Sequence, residues 1–187
     1  MTAFFPLTGE PLALDLLNTD CAVGDLVAEP AGLADWLATQ EGRLAHVPPV
    51  GAAEVTAVHA VREAARAALT AARSGAEPPA EAMRVLNSAL AGAPAHQELA
   101  WTPEAGLTAA TVRPEAAPGA RRLAAELAEA VAELLLGGRV EELRDCEGAG
   151  CTLVFLPAHP RRRWCVASLC GNRARVARYY ARHKPTP

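Results

Sequence analysis

Four of the five cysteines of this 187-residue chain fall near its C-terminal end, as Cys146-x4-Cys151, thirteen intervening residues, then Cys165-x4-Cys170. Two matched close pairs joined by a longer loop suit four thiolates closing around one Zn2+ at about 2.3 Å each. Each pair forms a local turn before the long loop closes, and Gly148 and Gly150 inside the first pair let the backbone turn tightly. The four-residue gap is wider than the commonest two, so on spacing alone a set of reduced, unliganded thiols stays open. Metal is favoured because a module with so little apolar side chain needs a staple. His159 in the intervening loop offers a substitute ligand, but two matched pairs make it superfluous. Four thiolates leave no coordination position for water, so the expected zinc is structural and not catalytic. Cys21 stands apart and reads as a small buried hydrophobe.

Charge divides the chain at the same place. Residues 1–147 hold all 21 acidic residues and 10 Lys and Arg; residues 148–187 hold no acid and 8 Lys and Arg. The net charge of −3 therefore conceals a basic end of +8. A zinc ion with four thiolates adds −2, which brings that end to about +6. Such a dipole points to an anionic partner for the basic end. Met1 is followed by no charged start and long apolar centre, and no apolar run approaches the ~18 residues of a membrane span. The expectation is a soluble, cytoplasmic protein that takes no membrane partner, in a reducing compartment where paired cysteines are metal ligands.

Upstream, hydrophobic residues make up 51% of the composition, aromatics only 4%, and alanine is abundant. That balance predicts helices packed closely around thin side chains. Helical spacing is read over 31–40, 52–73, 80–90 and 120–136, with Gly or Pro at the breaks. Met83, Leu86 and Leu90 read as core, and His59 as a packed or edge residue. Residues 97–102 and 107–113 read as a hairpin. Residues 140–144, 152–156 and 162–166 read as short strands, the last two linked through 157–160. Asn172 reads as the N-cap of a helix over 173–184. The expected fold is mainly α with a small β-hairpin (α+β): a helical domain over 1–138 and a zinc finger over 139–187 that resembles the treble-clef class.

Two sets of side chains remain. On the terminal helix, Arg175, Arg178 and Arg182 share a face, with Tyr179 placed to stack on a guanidinium; Arg173 and Lys184 flank them, and Arg161, Arg162 and Arg163 project from the hairpin. Guanidinium groups match phosphate and guanine edges, so these are the candidate nucleic-acid contacts. A solvated basic helix that balances the acidic body is the other reading. In residues 11–20, Asp15, Asn18 and Thr19 interrupt an apolar segment whose period fits helix or strand. They are either turn and cap chemistry or the wall of a ligand pocket.

At Arg162-Arg163-Trp164-Cys165 and Cys170-Gly171-Asn172-Arg173 the sequence resembles the CGNR zinc-finger family. Leu12–Leu17, with Asn18 and Thr19 after it, resembles the L-x-L-D-x-x-N-T opening of the ABATE domain, which precedes that finger in bacterial proteins, and the segment around Trp36 fits that domain too. The resemblance spans nearly the whole chain and implies a stress-responsive transcription regulator whose finger binds DNA. The chain departs from the pattern at Val166, usually Ser, and at the hairpin tip, where Leu156-Pro157-Ala158-His159-Pro160 replaces a tip that usually carries Asp and Ser.

The expected function is accordingly a zinc-binding transcription regulator. Its finger presents a basic helix to duplex DNA, and its N-terminal domain senses a small-molecule effector or forms a homodimer. Duplex is favoured over single strands because only Trp164, Tyr179 and Tyr180 offer stacking faces. The alternative is a zinc-stapled module that docks on an acidic protein surface. No nucleophile elbow, phosphate loop, paired-histidine metal motif or dinucleotide fingerprint is present, so no enzymatic activity is expected.

Overall fold

The computed structural model describes residues 5–6, 8–114 and 116–183. Helix α1 (Leu12–Leu17) settles the ambiguous apolar segment as helix, and a tight pair of strands, β1 (Asp20–Cys21) and β2 (Gly24–Asp25), follows it. Then come α2 (Pro30–Ala38), α3 (Ala52–Arg73), α4 (Ala80–Gly92), the ribbon β3 (His96–Thr102) and β4 (Gly106–Val112), and α5 (Gly119–Leu136). The chain closes with β5 (Arg144–Asp145), β6 (Val154–Phe155) and α6 (Asn172–His183).

Helices α3, α4 and α5 pack against one another, and α1 lies across α3 and α5. Ala64, Ala65, Ala68, Ala124, Ala125 and Ala128 are buried along the α3 and α5 faces, so the two backbones approach closely. Trp36, Leu14, Leu16, Leu33, Leu37, Leu69, Leu123 and Leu127 fill the space that remains. The start of α3 is secured locally: the Glu54 carboxylate accepts the Gly51 N–H at 2.9 Å, closing the first turn.

Helical periodicity sets Arg62, Arg66 and Arg73 around the outer side of α3; the structure leaves Arg66 and Arg73 part-exposed and buries Arg62. Arg62 is 4% exposed and bonds both Asp25 oxygens, at 2.8 and 2.7 Å, and the Thr19 hydroxyl at 3.0 Å. Arg66 bonds Asp20, and Arg73 bonds both oxygens of Asp145. The three form a ladder that ties the β1–β2 turn and the finger to one helix. His59 sits at the edge, 3.2 Å from Val27 O.

The finger corrects four local expectations. Of residues 140–144, Val140–Glu142 form a 3-10 turn and only Arg144 is strand, where β5 begins. β6 pairs antiparallel with β5, not with residues 162–166, so the short hairpin flanks the first cysteine pair and does not lie between the pairs. The 162–166 segment runs alongside and accepts the Glu147 N–H through Arg163 O. Asn172 is already helical and caps nothing, because one π-helical turn, Ala167–Gly171, starts the helix five residues earlier. Elsewhere, Met83 is 36% exposed, and Cys21 is half-exposed, packed beside the cysteine cluster. Among the described residues no helix is long and apolar enough to cross a membrane.

Candidate metal centre and basic helix

The turn after β5 brings Cys146 and Cys151 together, and the π-helical turn lifts Cys170 onto Cys165. All four Sγ atoms lie within 4.8 Å of one another, with Cys151–Cys165 at 3.9 Å and Cys165–Cys170 at 3.5 Å. A tetrahedron of 2.3 Å Zn–S bonds has edges of about 3.8 Å, so the cluster fits one zinc. The turn needs its glycines. A Cβ on Gly148 would sit 2.9 Å from Cys170 Sγ, and Gly150 has φ +69°. Backbone amides point at sulfur: Gly148 N–H and Cys165 N–H both donate to Cys146 Sγ, at 3.4 and 3.3 Å. Arg173 Nη2 donates to Cys170 Sγ at 2.8 Å. These are the bonds that orient and tune thiolate ligands.

Electrostatics says the same. Burial, reinforced by the neighbouring thiols, pushes Cys151 up to about 11 and raises Cys165 as well. Burial also acts to raise Cys170, yet Arg173 and the adjoining thiols hold it below the ordinary thiol value. Four thiolates this close repel one another, and a divalent cation among them supplies the compensating charge. The four cysteines are thus a site for a single structural zinc.

The arginines divide into tied and free. Arg162 is a strut: it bonds Glu10 at 2.7 Å and Cys165 O at 2.6 Å, and its guanidinium lies 4.3 Å over the Phe155 ring. Arg163 pairs with Glu147 and lies over Trp164. Arg173 serves the metal site. Arg161, Arg175 and Arg182 are exposed and form no ion pair among the described residues, and Arg178 bonds only Ala174 O in its own helix. Lys184 lies outside the described residues. Tyr179 stacks on His183, one turn along, at 4.2 Å between centroids, and not on a guanidinium. No residue of α6 is buried.

Asp15, Asn18 and Thr19 are 1%, 4% and 1% exposed, and their side chains bond to protein. Asp15 accepts the Gly9 and Glu10 N–H groups and pairs with Arg43. Burial raises its pKa despite those bonds. Asn18 bonds both backbone groups of Val154, and Thr19 donates to Leu16 O while accepting from Arg62. The set is internal fastening and not a pocket wall. Sequence reasoning missed Glu10, which accepts the Leu156 N–H at 2.9 Å as well as pairing with Arg162, and Asp145, the finger's anchor on α3. Asp145, an acid immediately before the first cysteine, was a weak local signal; Glu10 offered none.

A family model for the ABATE domain, described as "Putative stress-induced transcription regulator", matches residues 10–138. A second, for the CGNR zinc finger, matches residues 142–183. No curated protein matches the chain. Two consecutive family matches, the second enclosing all four clustered cysteines, place this chain in the family of ABATE-domain proteins that carry a CGNR zinc finger.

Proposed function

We propose that the protein is a cytoplasmic DNA-binding regulator, with a helical unit over 1–138 and a finger over 139–187 that presents α6 to duplex DNA. One observation carries this reading. Arg175, Arg178 and Arg182 stand on an exposed helix with no carboxylate partner among the described residues, while the start of that helix is fixed by Cys170 in the metal cluster. Residues 175 and 182 are about 10 Å apart along the axis, so the three guanidiniums reach successive backbone phosphates. Arg161, also unpaired, adds a contact from the finger's loop. The zinc, closed in by four thiolates, orders this surface, and the reading assigns it no catalytic role.

The test is selection from a random duplex pool with zinc-loaded protein, followed by affinity against salt. Changing Arg175, Arg178 and Arg182 to Ala should flatten the log–log salt slope by about 3 with zinc retained. Absence of salt-sensitive binding to any duplex would sink the reading. A second reading is favoured by Val176, Tyr179 and Tyr180, which are 45%, 53% and 68% exposed on the same helix. On that reading α6 docks on an acidic protein surface, and binding would need the tyrosines as well as the arginines.

Effector sensing has its best location away from Asp15, Asn18 and Thr19. A cavity of about 510 Å3 opens between α1, α5 and the finger, with Leu12, Arg43, Arg113, Glu126 and Leu156 among its walls. Arg113 and Glu126 are nine-tenths buried and form an ion pair, Nε to Oε1 at 3.4 Å, in which neither atom makes a hydrogen bond among the described residues. Because Leu156 belongs to the finger, a molecule bound there would touch both units. Ala130→Phe fills the cavity from α5. It should leave zinc and fold intact and abolish thermal shifts produced by a fragment library; shifts that persist would place the site elsewhere.

A further inference from the structure

The β3–β4 ribbon is an outlier in this fold. It pairs in register from His96↔Val112 to Thr102↔Gly106, yet every residue of β3 is exposed, and so is the middle of β4. Strand alternation sorts its side chains. Gln97, Leu99 and Trp101 share one face with Leu107, Ala109 and Thr111. Leu99, Trp101 and Leu107 are 72%, 69% and 71% exposed. The titratable side chains of the ribbon, His96 and Glu98, meet each other on the opposite face. An isolated two-stranded ribbon is marginal in water, and three large apolar side chains on one face call for a cover.

We propose that this face is where two copies of the chain pair, ribbon against ribbon. Charge selects the occupant. The six residues of the face are all uncharged, in a chain where more than a fifth of the residues are charged. An acidic or basic partner would find nothing to pair with, whereas a two-fold axis brings identical neutral faces together without like-charge repulsion. Area agrees. Seven-residue strands make a face roughly 24 Å long and 10 Å wide. With the indole and leucines protruding, its accessible area is on the order of 500–600 Å2 per copy, the low end of specific interfaces. The expected product is a dimer that forms and dissociates with concentration. Edge-to-edge pairing of the strands is disfavoured, because it would leave the three apolar side chains in water. Pairing through the ribbon stands whether or not α6 binds DNA.

Sedimentation equilibrium of the zinc-loaded full chain tests this. The weight-average mass should rise from 19.5 kDa toward twice that value with concentration. The midpoint should not move between low and high salt. Ala109→Arg sets like charges face to face and should weaken association at least tenfold; Ala110→Arg, on the other face, should leave it unchanged. Both positions are exposed on the same strand, so each variant is expected to fold, and circular dichroism checks this. Three results would overturn the proposal: a monomer at every concentration, a dimer that weakens with salt, or equal loss in the two variants.

Discussion

Asn18 commits its carboxamide to one residue 136 positions away: Nδ2 donates to Val154 O and Oδ1 accepts the Val154 N–H, both at 2.9 Å. This is the pairing a neighbouring strand would offer, supplied by a side chain to the free edge of β6. Asn18→Ala leaves both backbone groups of Val154 without that partner. At roughly 1–3 kcal/mol for each such group, the expected loss is about 2–6 kcal/mol, read as a lower urea midpoint with zinc content unchanged. A change under ~0.5 kcal/mol would mean water replaces the amide fully. The arginine run gives a sharper residue-scale contrast. Arg162→Ala removes the bond to Glu10 and the guanidinium over Phe155, so the midpoint should fall while any loss of DNA affinity is secondary. Under the proposed function Arg161→Ala should do the reverse, weakening duplex binding and leaving the midpoint in place. If the two variants behave alike, the division into tied and free arginines is wrong.

At the scale of elements, the α3 ladder makes a pH prediction. The hydrogen bonds from Arg62 to Asp25 and from Arg73 to Asp145 hold both carboxyls below the usual carboxylate range. A depressed folded pKa stabilises above the unfolded value, ~4 for Asp, and that contribution is lost as pH falls through the folded value. The difference in melting temperature between wild type and Arg73→Ala should therefore be present at neutral pH and shrink as pH falls through the lowered Asp145 value. A difference that survives acid would assign Arg73 to packing. The same ladder shows what sequence could reveal. The long helices and the ribbon were legible because their periods repeat over many residues. The cysteine frame was legible because ligand spacing is local chemistry. Residues 152–156 read as strand and enclose β6, but its pairing with β5 was not legible, since tertiary contacts decide so short a ladder. Nor were the fates of Arg62 and Arg162 within helical or basic runs, because Asp25 and Glu10 lie 37 and 152 positions away. Tyr179 met His183 in place of an arginine because both partners were within one helical turn, and period alone does not rank them.

Across the whole molecule, two cores of unequal size share a border. The body's core runs from α1 to α5 and takes in Leu143, with Val154 and Leu156 of the finger packed against it. The finger's own core is Leu153, Phe155 and three of the cysteines, with Trp164 and Val166 at its edge. A core that small holds a fold only with its metal. The described residues of the body gather no second group of metal ligands, but the body loses the Asn18, Glu10 and Arg73 fastenings when the finger opens. Zinc removal should therefore act in two tiers. A strong chelator should make the four thiols reactive and, if α6 binds DNA as proposed, abolish that binding, because α6 no longer has Cys170 to anchor it. Helix content should fall only by about the share of α6, while α3, α4 and α5 persist in a body that melts at lower temperature. Thiol titration, circular dichroism and melting on one chelated sample check all three. Complete loss of helix on chelation would show that the body cannot stand without the finger. An unchanged melting temperature would show that the fastenings across the border contribute nothing.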